Sequence, residues 1–125
     1  AEAAGADFID CGLMGMARSA GNITTEGALA IFQREGKALQ YDFYALLHFI
    51  DDKLMPAMEK EGYHTPIKPL DLILGYAGCH SSFVNTYKEV AKETGTDLYK
   101  LIVETSKRNQ KNPTQELMEE VASTL

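Results

Sequence analysis

"GADFIDCGLMGMARSAGNITTE" (Gly5 to Glu26) is the stretch on which the architecture turns. Its first half, Asp7 to Leu13, carries Phe8, Ile9, Cys11 and Leu13, the largely apolar run of a buried parallel strand. Nothing later in the chain reads as a strong second strand. A lone buried strand has no ladder partner, and buried backbone groups need partners. The N-terminal stretch therefore reads as cut from something larger. In its second half Gly12, Gly15 and Gly21 lead to Asn22, and Asn22 or Thr24 is expected to cap a helix running to about Glu35, with Gly36 as its stop. A strand, a glycine loop and a helix start make a natural anion seat, because free N–H groups point outward there. The same order is also the ordinary way a strand becomes a helix. The stretch has neither the lysine of a P-loop nor the spacing of a dinucleotide fingerprint.

Beyond it the chain reads as helices joined by short loops. A helix is expected from Asp42, with Phe43, Leu46, Leu47, Ile50 and Leu54 at the i, i+3, i+4, i+7 spacing of one buried face. Pro56 must end or kink it, and Gly62 closes the segment. "TPIKPLDLILGYAG" (Thr65 to Gly78) is a short helix between proline and glycine punctuation. Ser81 or Ser82 is expected to cap a helix to Thr94, with Gly95 after it, and Asp97 the next, with Leu98, Leu101, Ile102 and Thr105 on one face. Asn112 followed by Pro113 reads as the last helix start, with Leu117 and Val121 on its buried side.

The totals narrow the class. At 125 residues, 45% hydrophobic and 24% charged, the chain is one domain of soluble globular composition with no apolar run long enough to cross a bilayer. No signal peptide is visible in its first residues. A net charge of -6 argues against a nucleic-acid partner, and "SKRNQK" (Ser106 to Lys111) reads as a solvated helix end. Cys11 and Cys79 are too few for a disulfide scaffold, so a reduced, cytoplasmic setting is expected.

A second stretch, "LGYAGCHSSF" (Leu74 to Phe83), gathers Tyr76, Cys79, His80, Ser81 and Ser82 in one polar corner. Cys79 beside His80 raises a thiol nucleophile, but sequence neighbours rarely meet in the geometry a base requires. No second histidine or carboxylate stands at metal-ligand spacing from His80. His48 on an apolar stripe and His64 in a loop read as structural or exposed, and Asp51 with Asp52 as a solvated face. Tyr76, between Gly75 and Ala77, can project its hydroxyl or pack with it satisfied. On residue chemistry alone this is a helical domain with a polar corner and no complete catalytic set.

The order of motifs adds a resemblance. "GADFIDCGLMGMARSAGNITTE" resembles the last strand and following loop of the metal-dependent lyase and aldolase barrels related to HMG-CoA lyase and isopropylmalate synthase, whose Ala-Gly-Asn and later Glu match Ala20, Gly21, Asn22 and Glu26. "LGYAGCHSSFVNTYKEVAKETG" and the ending "NPTQELMEEVASTL" resemble the C-terminal region of the 4-hydroxy-2-oxovalerate aldolases.

The resemblance implies a mainly α chain. Residues 1–38 would be the last strand and helix of a (β/α)8 TIM barrel, and residues 39–125 a small helical communication domain. A whole barrel takes about 250 residues, so seven strands would be missing here. It also implies a parent enzyme in which a divalent ion, typically manganese, stabilises pyruvate enolate as a 4-hydroxy-2-oxo acid is cleaved to pyruvate and an aldehyde. The family's Arg-Asp pair, catalytic histidine and His-x-His ligands match nothing in this chain, which is expected to be inactive and to bind no cofactor by itself. Carried over are Asn22, at or near the metal, and Tyr76 and His80, lining the substrate site. A second tyrosine is usual where this chain has His80, and Ala17 and Ser19 stand where glycines are frequent. The implied partners are a 2-oxo acid and an acylating aldehyde dehydrogenase. Apolar faces such as Phe43, Leu47 and Ile50 are expected to need a partner, and the lone strand allows a homodimer. Two alternatives stand beside the aldolase: an interaction module docking the dehydrogenase, and part of an acyl-CoA Claisen-type synthase or lyase, which would keep the first motif without the second.

Overall fold

The computed structural model describes residues 2–17, 22–64 and 67–125, and the chain divides into two compact units, Ala1–Lys68 and Pro69–Leu125. Both are helical. Among the described residues no strand forms, so the expected strand over Asp7 to Leu13 is corrected and a barrel remnant is not visible. The physical reason is the one that made the stretch odd. An apolar run becomes a strand only where a neighbour takes up its N–H and C=O groups, and here Phe8 is 93% exposed. What does form is an isolated parallel bridge between Gly12 and Thr24, with Gly12 N–H donating to Ile23 O (3.2 Å) and Thr25 N–H to Gly12 O (2.9 Å).

In the first unit, short 3-10 turns at Glu2–Ala4 and Leu13–Gly15 precede α1 (Thr25–Arg34), α2 (Phe43–Phe49) and α3 (Met55–Lys60). Thr24, the second of the two expected caps, starts α1 by accepting Gly27 N–H on Oγ1 (3.0 Å). Asp42 caps α2 through Ala45 N–H (2.9 Å). Phe43, Leu47 and Ile50 are buried as expected, whereas Leu46 and Leu54 are half-buried. Phe43, Leu47 and Ile50 are already buried in the chain by itself, so the expectation that this face needs a partner is corrected. Pro56 does not stop the helix. A π-turn over Ile50–Leu54 joins α2 to α3, with Met55 N–H reaching back to Ile50 O. Proline lacks an N–H and crowds the carbonyl four residues before it, and a local π register accommodates both.

In the second unit, α4 (Pro69–Ala77), α5 (Val84–Thr94), α6 (Leu98–Arg108) and α7 (Gln115–Ala122) pack around α6, which touches the other three. Ile73, Tyr87, Val90, Leu101, Ile102, Met118 and Val121 are at most 1% exposed and form its core. Asp97 caps α6 as expected, accepting from Tyr99 N–H (2.8 Å) and Lys100 N–H (3.1 Å). Gly95 ends α5 in the left-handed conformation (φ +68°) that suits glycine. Three expectations shift. A 3-10 turn, Ser81–Phe83, leads into α5, and its cap is His80, not a serine. Thr114 caps α7, which leaves Pro113 buried just outside the helix instead of at its first position. Met118 joins the expected Val121 on the inner face, three positions away on the same stripe, while Leu117 is half-buried. Among the described residues no helix is long and apolar enough to cross a membrane.

Candidate functional site

The first unit places Asn22 beside a turn held from two sides. Met14 is fully buried yet takes a positive φ (55°), a conformation that strains a residue bearing a Cβ. Its N–H donates to both carboxylate oxygens of Glu26 (3.1 and 3.2 Å), and its carbonyl accepts the Tyr63 hydroxyl (2.6 Å). Glu26 is 1% exposed, and its position in the first turn of α1 adds the favourable end of the helix dipole. Asn22 itself is exposed, and its N–H donates to Gly15 O (3.1 Å). The expected Ala20 and Gly21 of the motif, with Arg18 and Ser19, lie outside the described residues. Beside the Asp7–Cys11 segment runs a groove of about 720 Å³, lined in part by Phe8, Ile9, Leu29, Phe32 and Leu46.

The second unit brings Tyr76 and His80 onto one tight turn. Tyr76 is half-buried on the last turn of α4. The helix closes with Gly78 N–H on Gly75 O (3.2 Å) and Cys79 N–H on Leu74 O (2.9 Å), the paired bonds of a Schellman ending around left-handed Gly78 (φ +66°). His80 then turns back on the chain. Its Nδ1 accepts Ser82 N–H (3.1 Å) and lies 2.8 Å from Ser82 Oγ. A nitrogen that accepts a backbone N–H carries no proton, so the neutral ring holds its hydrogen on Nε2. The exposed imidazole can thus offer a hydrogen-bond donor to a carbonyl or carboxylate oxygen.

Cys79 and His80 do not form a nucleophile–base pair. Cys79 points inward, 8% exposed, with its thiol donating to His80 O (3.6 Å) while the ring is held by Ser82. Burial pushes the thiol up, and the Ser106 and Tyr87 hydroxyls pull it back only in part. These groups belong to a buried polar cluster in which Tyr87 is raised to about 12, mainly by burial and next by Cys79. Tyr87 Oη, Thr105 Oγ1 and Ser106 Oγ are near enough to influence one another, but none is aligned into a regular hydrogen bond among the described residues. His48 is half-buried on α2, His64 is exposed after α3, and Asp51 and Asp52 fall in the π-turn.

Among the described residues no three metal-ligating side chains gather, and Asn22 is exposed while Glu26 is occupied with Met14. These residues do not by themselves make a seat for a divalent ion. Glu26, Tyr63, Gln110 and Tyr87 escape a reading by residue type. Glu26 alone had a signal, its place in the Ala-Gly-Asn…Glu motif. "SKRNQK" was expected to be a solvated helix end, and Lys107 and Arg108 are exposed, but Ser106 is buried and Gln110 Nε2 donates to Ala77 O (3.0 Å).

Residues 65–125 match the family described as "DmpG-like communication domain". Over 121 residues the chain is 32% identical to 4-hydroxy-2-oxovalerate aldolase 2 of Rhodococcus jostii (strain RHA1), covering 97% of this chain and 34% of that protein. It is 31% identical over 122 residues to 4-hydroxy-2-oxovalerate aldolase of Moorella thermoacetica (strain ATCC 39073 / JCM 9320), covering 95% of this chain and 34% of that protein. The chain thus spans about a third of the length of these curated relatives. No solved structure matches it. Residues 65–125 thus match the DmpG-like communication domain family, and along almost all of its length the chain is similar to proteins named 4-hydroxy-2-oxovalerate aldolase.

Proposed function

We propose that the chain is the C-terminal part of a divalent-metal-dependent aldolase that cleaves 4-hydroxy-2-oxo acids to pyruvate and an aldehyde. The observation that carries this is the similarity along 97% of the chain to a protein named 4-hydroxy-2-oxovalerate aldolase 2. In this reading residues 1–38 end a (β/α)8 barrel and residues 39–125 are the helical extension, a boundary of ancestry that differs from the compact division at Lys68 and Pro69. The exposed Phe8 and the apolar groove beside it support a further layer over this face. The manganese ligands and the general acid–base groups belong to the rest of the enzyme, and no step of the chemistry is assigned to these residues. Tyr76 and His80 line the 2-oxo acid, His80 as an Nε2–H donor to one of its oxygens, and Asn22 lies near the metal.

The test is manganese-dependent exchange of pyruvate methyl protons for deuterium, followed by NMR, with this chain and with a version extended upstream to a whole barrel. Exchange in the longer protein only is expected. No exchange in either sinks the aldolase reading and favours the acyl-CoA members of the superfamily.

The communication-domain match favours a second, compatible role for the helical part as a docking module for an acylating aldehyde dehydrogenase. Leu39, Tyr41 and Phe49, each 48% exposed or more, are part of the apolar surface the first unit offers. Co-elution of the chain with such a dehydrogenase is the expected mark of that role. Separate elution at micromolar concentrations of both sinks it.

A further inference from the structure

We infer that Gln110 is a positioning residue for the turn that carries Tyr76 and His80. The inference rests on the proposed reading only for what that turn contacts. Its geometry is independent of it.

The Schellman ending of α4 satisfies the carbonyls of Leu74 and Gly75, and it leaves the carbonyl of Ala77 beyond the reach of the helix's own N–H groups. Gln110, from the loop after α6, supplies the donor: its Nε2 bonds to Ala77 O at 3.0 Å. The amide also lies close against Gly78. A Cβ at that position would run into Gln110 Nε2 and sit 3.0 Å from its Cδ. Gly78 is thus required twice, by its φ of +66° and by the close approach of this side chain. The loop that carries Gln110 is itself held by a side-chain bond, Asn112 N–H donating to Asn109 Oδ1 (3.1 Å).

The bond falls between the two candidate contact residues, one place after Tyr76 and three before His80. Below the turn the Cys79 thiol is tied to His80 O, and above it Ser82 holds the imidazole by Nδ1. Gln110 is the tie from a separate element, so it sets the angle at which the turn leaves α4. Its bond is to the backbone. Its effect passes through the backbone of residues 77–80.

The test uses the chain as it is. In Gln110→Ala, hydrogen exchange at the Gly78 and Cys79 amides is expected to speed up about fivefold, the factor one solvent-accessible hydrogen bond is worth. The 15N shifts of His80 are expected to lose their wide Nδ1/Nε2 separation as the ring is released and its tautomers average. Gln110→Lys, which keeps a donor of similar reach, is expected to restore both. A loss of overall stability alone would move neither the tautomer signature nor its rescue. Wild-type exchange and an unchanged His80 pattern in Gln110→Ala would overturn the inference. Neither readout needs substrate, so failure here is separate from failure of the pyruvate exchange test.

Discussion

Truncating Glu26 to alanine is expected to lower the unfolding free energy by about 2–3 kcal/mol, although no residue-type reading makes it a stability determinant. The Met14 amide, buried and held by nothing else among the described residues, loses both of its acceptor oxygens. An orphaned buried donor costs about 1–3 kcal/mol, and the one methylene lost with the carboxylate adds roughly 0.8 kcal/mol. Relief of the carboxylate's own desolvation acts in the opposite sense. The helix N-terminus already offsets part of that penalty, so the orphaned amide decides the sign. Met14 also sits in a left-handed conformation that needs outside support, and with Glu26 gone the Tyr63 hydroxyl is its one remaining hydrogen-bond partner among the described residues. Urea unfolding of the two proteins measures the difference. Glu26→Gln keeps an acceptor oxygen and is expected to lose about half as much. An alanine variant as stable as the parent would mean that the buried carboxylate is a net cost, the outcome known for many buried charges.

Stability is also expected to fall by about 2–3 kcal/mol between pH 10 and pH 12 through one phenol. Tyr87 ionises at about 10 when exposed and is pushed to about 12 in the fold, first by burial and then by Cys79. The sign follows from proton counting. Between those values the unfolded chain has lost the proton and the folded chain keeps it, so the unfolded state is favoured as pH rises. The contribution is intact below pH 10 and declines by about 1.4 kcal/mol per unit above it. Cys79, raised in the same direction, adds a loss that begins above pH 9. Chemical denaturation at half-unit steps from pH 9 to 11.5 traces the curve, and Tyr87→Phe is expected to flatten it. The phenylalanine variant should match the parent within about 1 kcal/mol at neutral pH, because the hydroxyl it removes has no regular hydrogen bond to lose. An unchanged slope in that variant would assign the alkaline loss to other groups.

Much of the second unit was legible in advance because its signals are local. The Asp97 cap, the Gly95 stop and the face of Leu101, Ile102 and Thr105 depend on residues within two turns of one another. Errors came where two local signals competed. His80, two serines and a phenylalanine all precede α5, and the imidazole nitrogen took the capping bond that serine was expected to accept. Pro113 fits a first helical position, but Thr114 can accept Leu117 N–H, and the helix starts after it. Pro56, expected to end or kink the helix, does not end it, because a π register absorbs the missing N–H and the crowded carbonyl.

The candidate site divides the same way. That Tyr76 and His80 share a turn follows from the glycines around them, as does the glycine loop leading to Asn22. Glu26 on Met14, Tyr63 on Met14 and Gln110 on Ala77 join residues 12, 49 and 33 positions apart. No periodicity or spacing encodes such pairs. They exist because a buried N–H or a left-over helix carbonyl must be satisfied by whichever side chain the packing brings near. By itself, then, the sequence determined the helical character, most of the caps and stops, and the relationship to the aldolases. Tertiary structure decided that the apolar run at Asp7 to Leu13 forms no strand, since a strand is a property of two neighbours, and which distant side chains hold the two candidate turns in place.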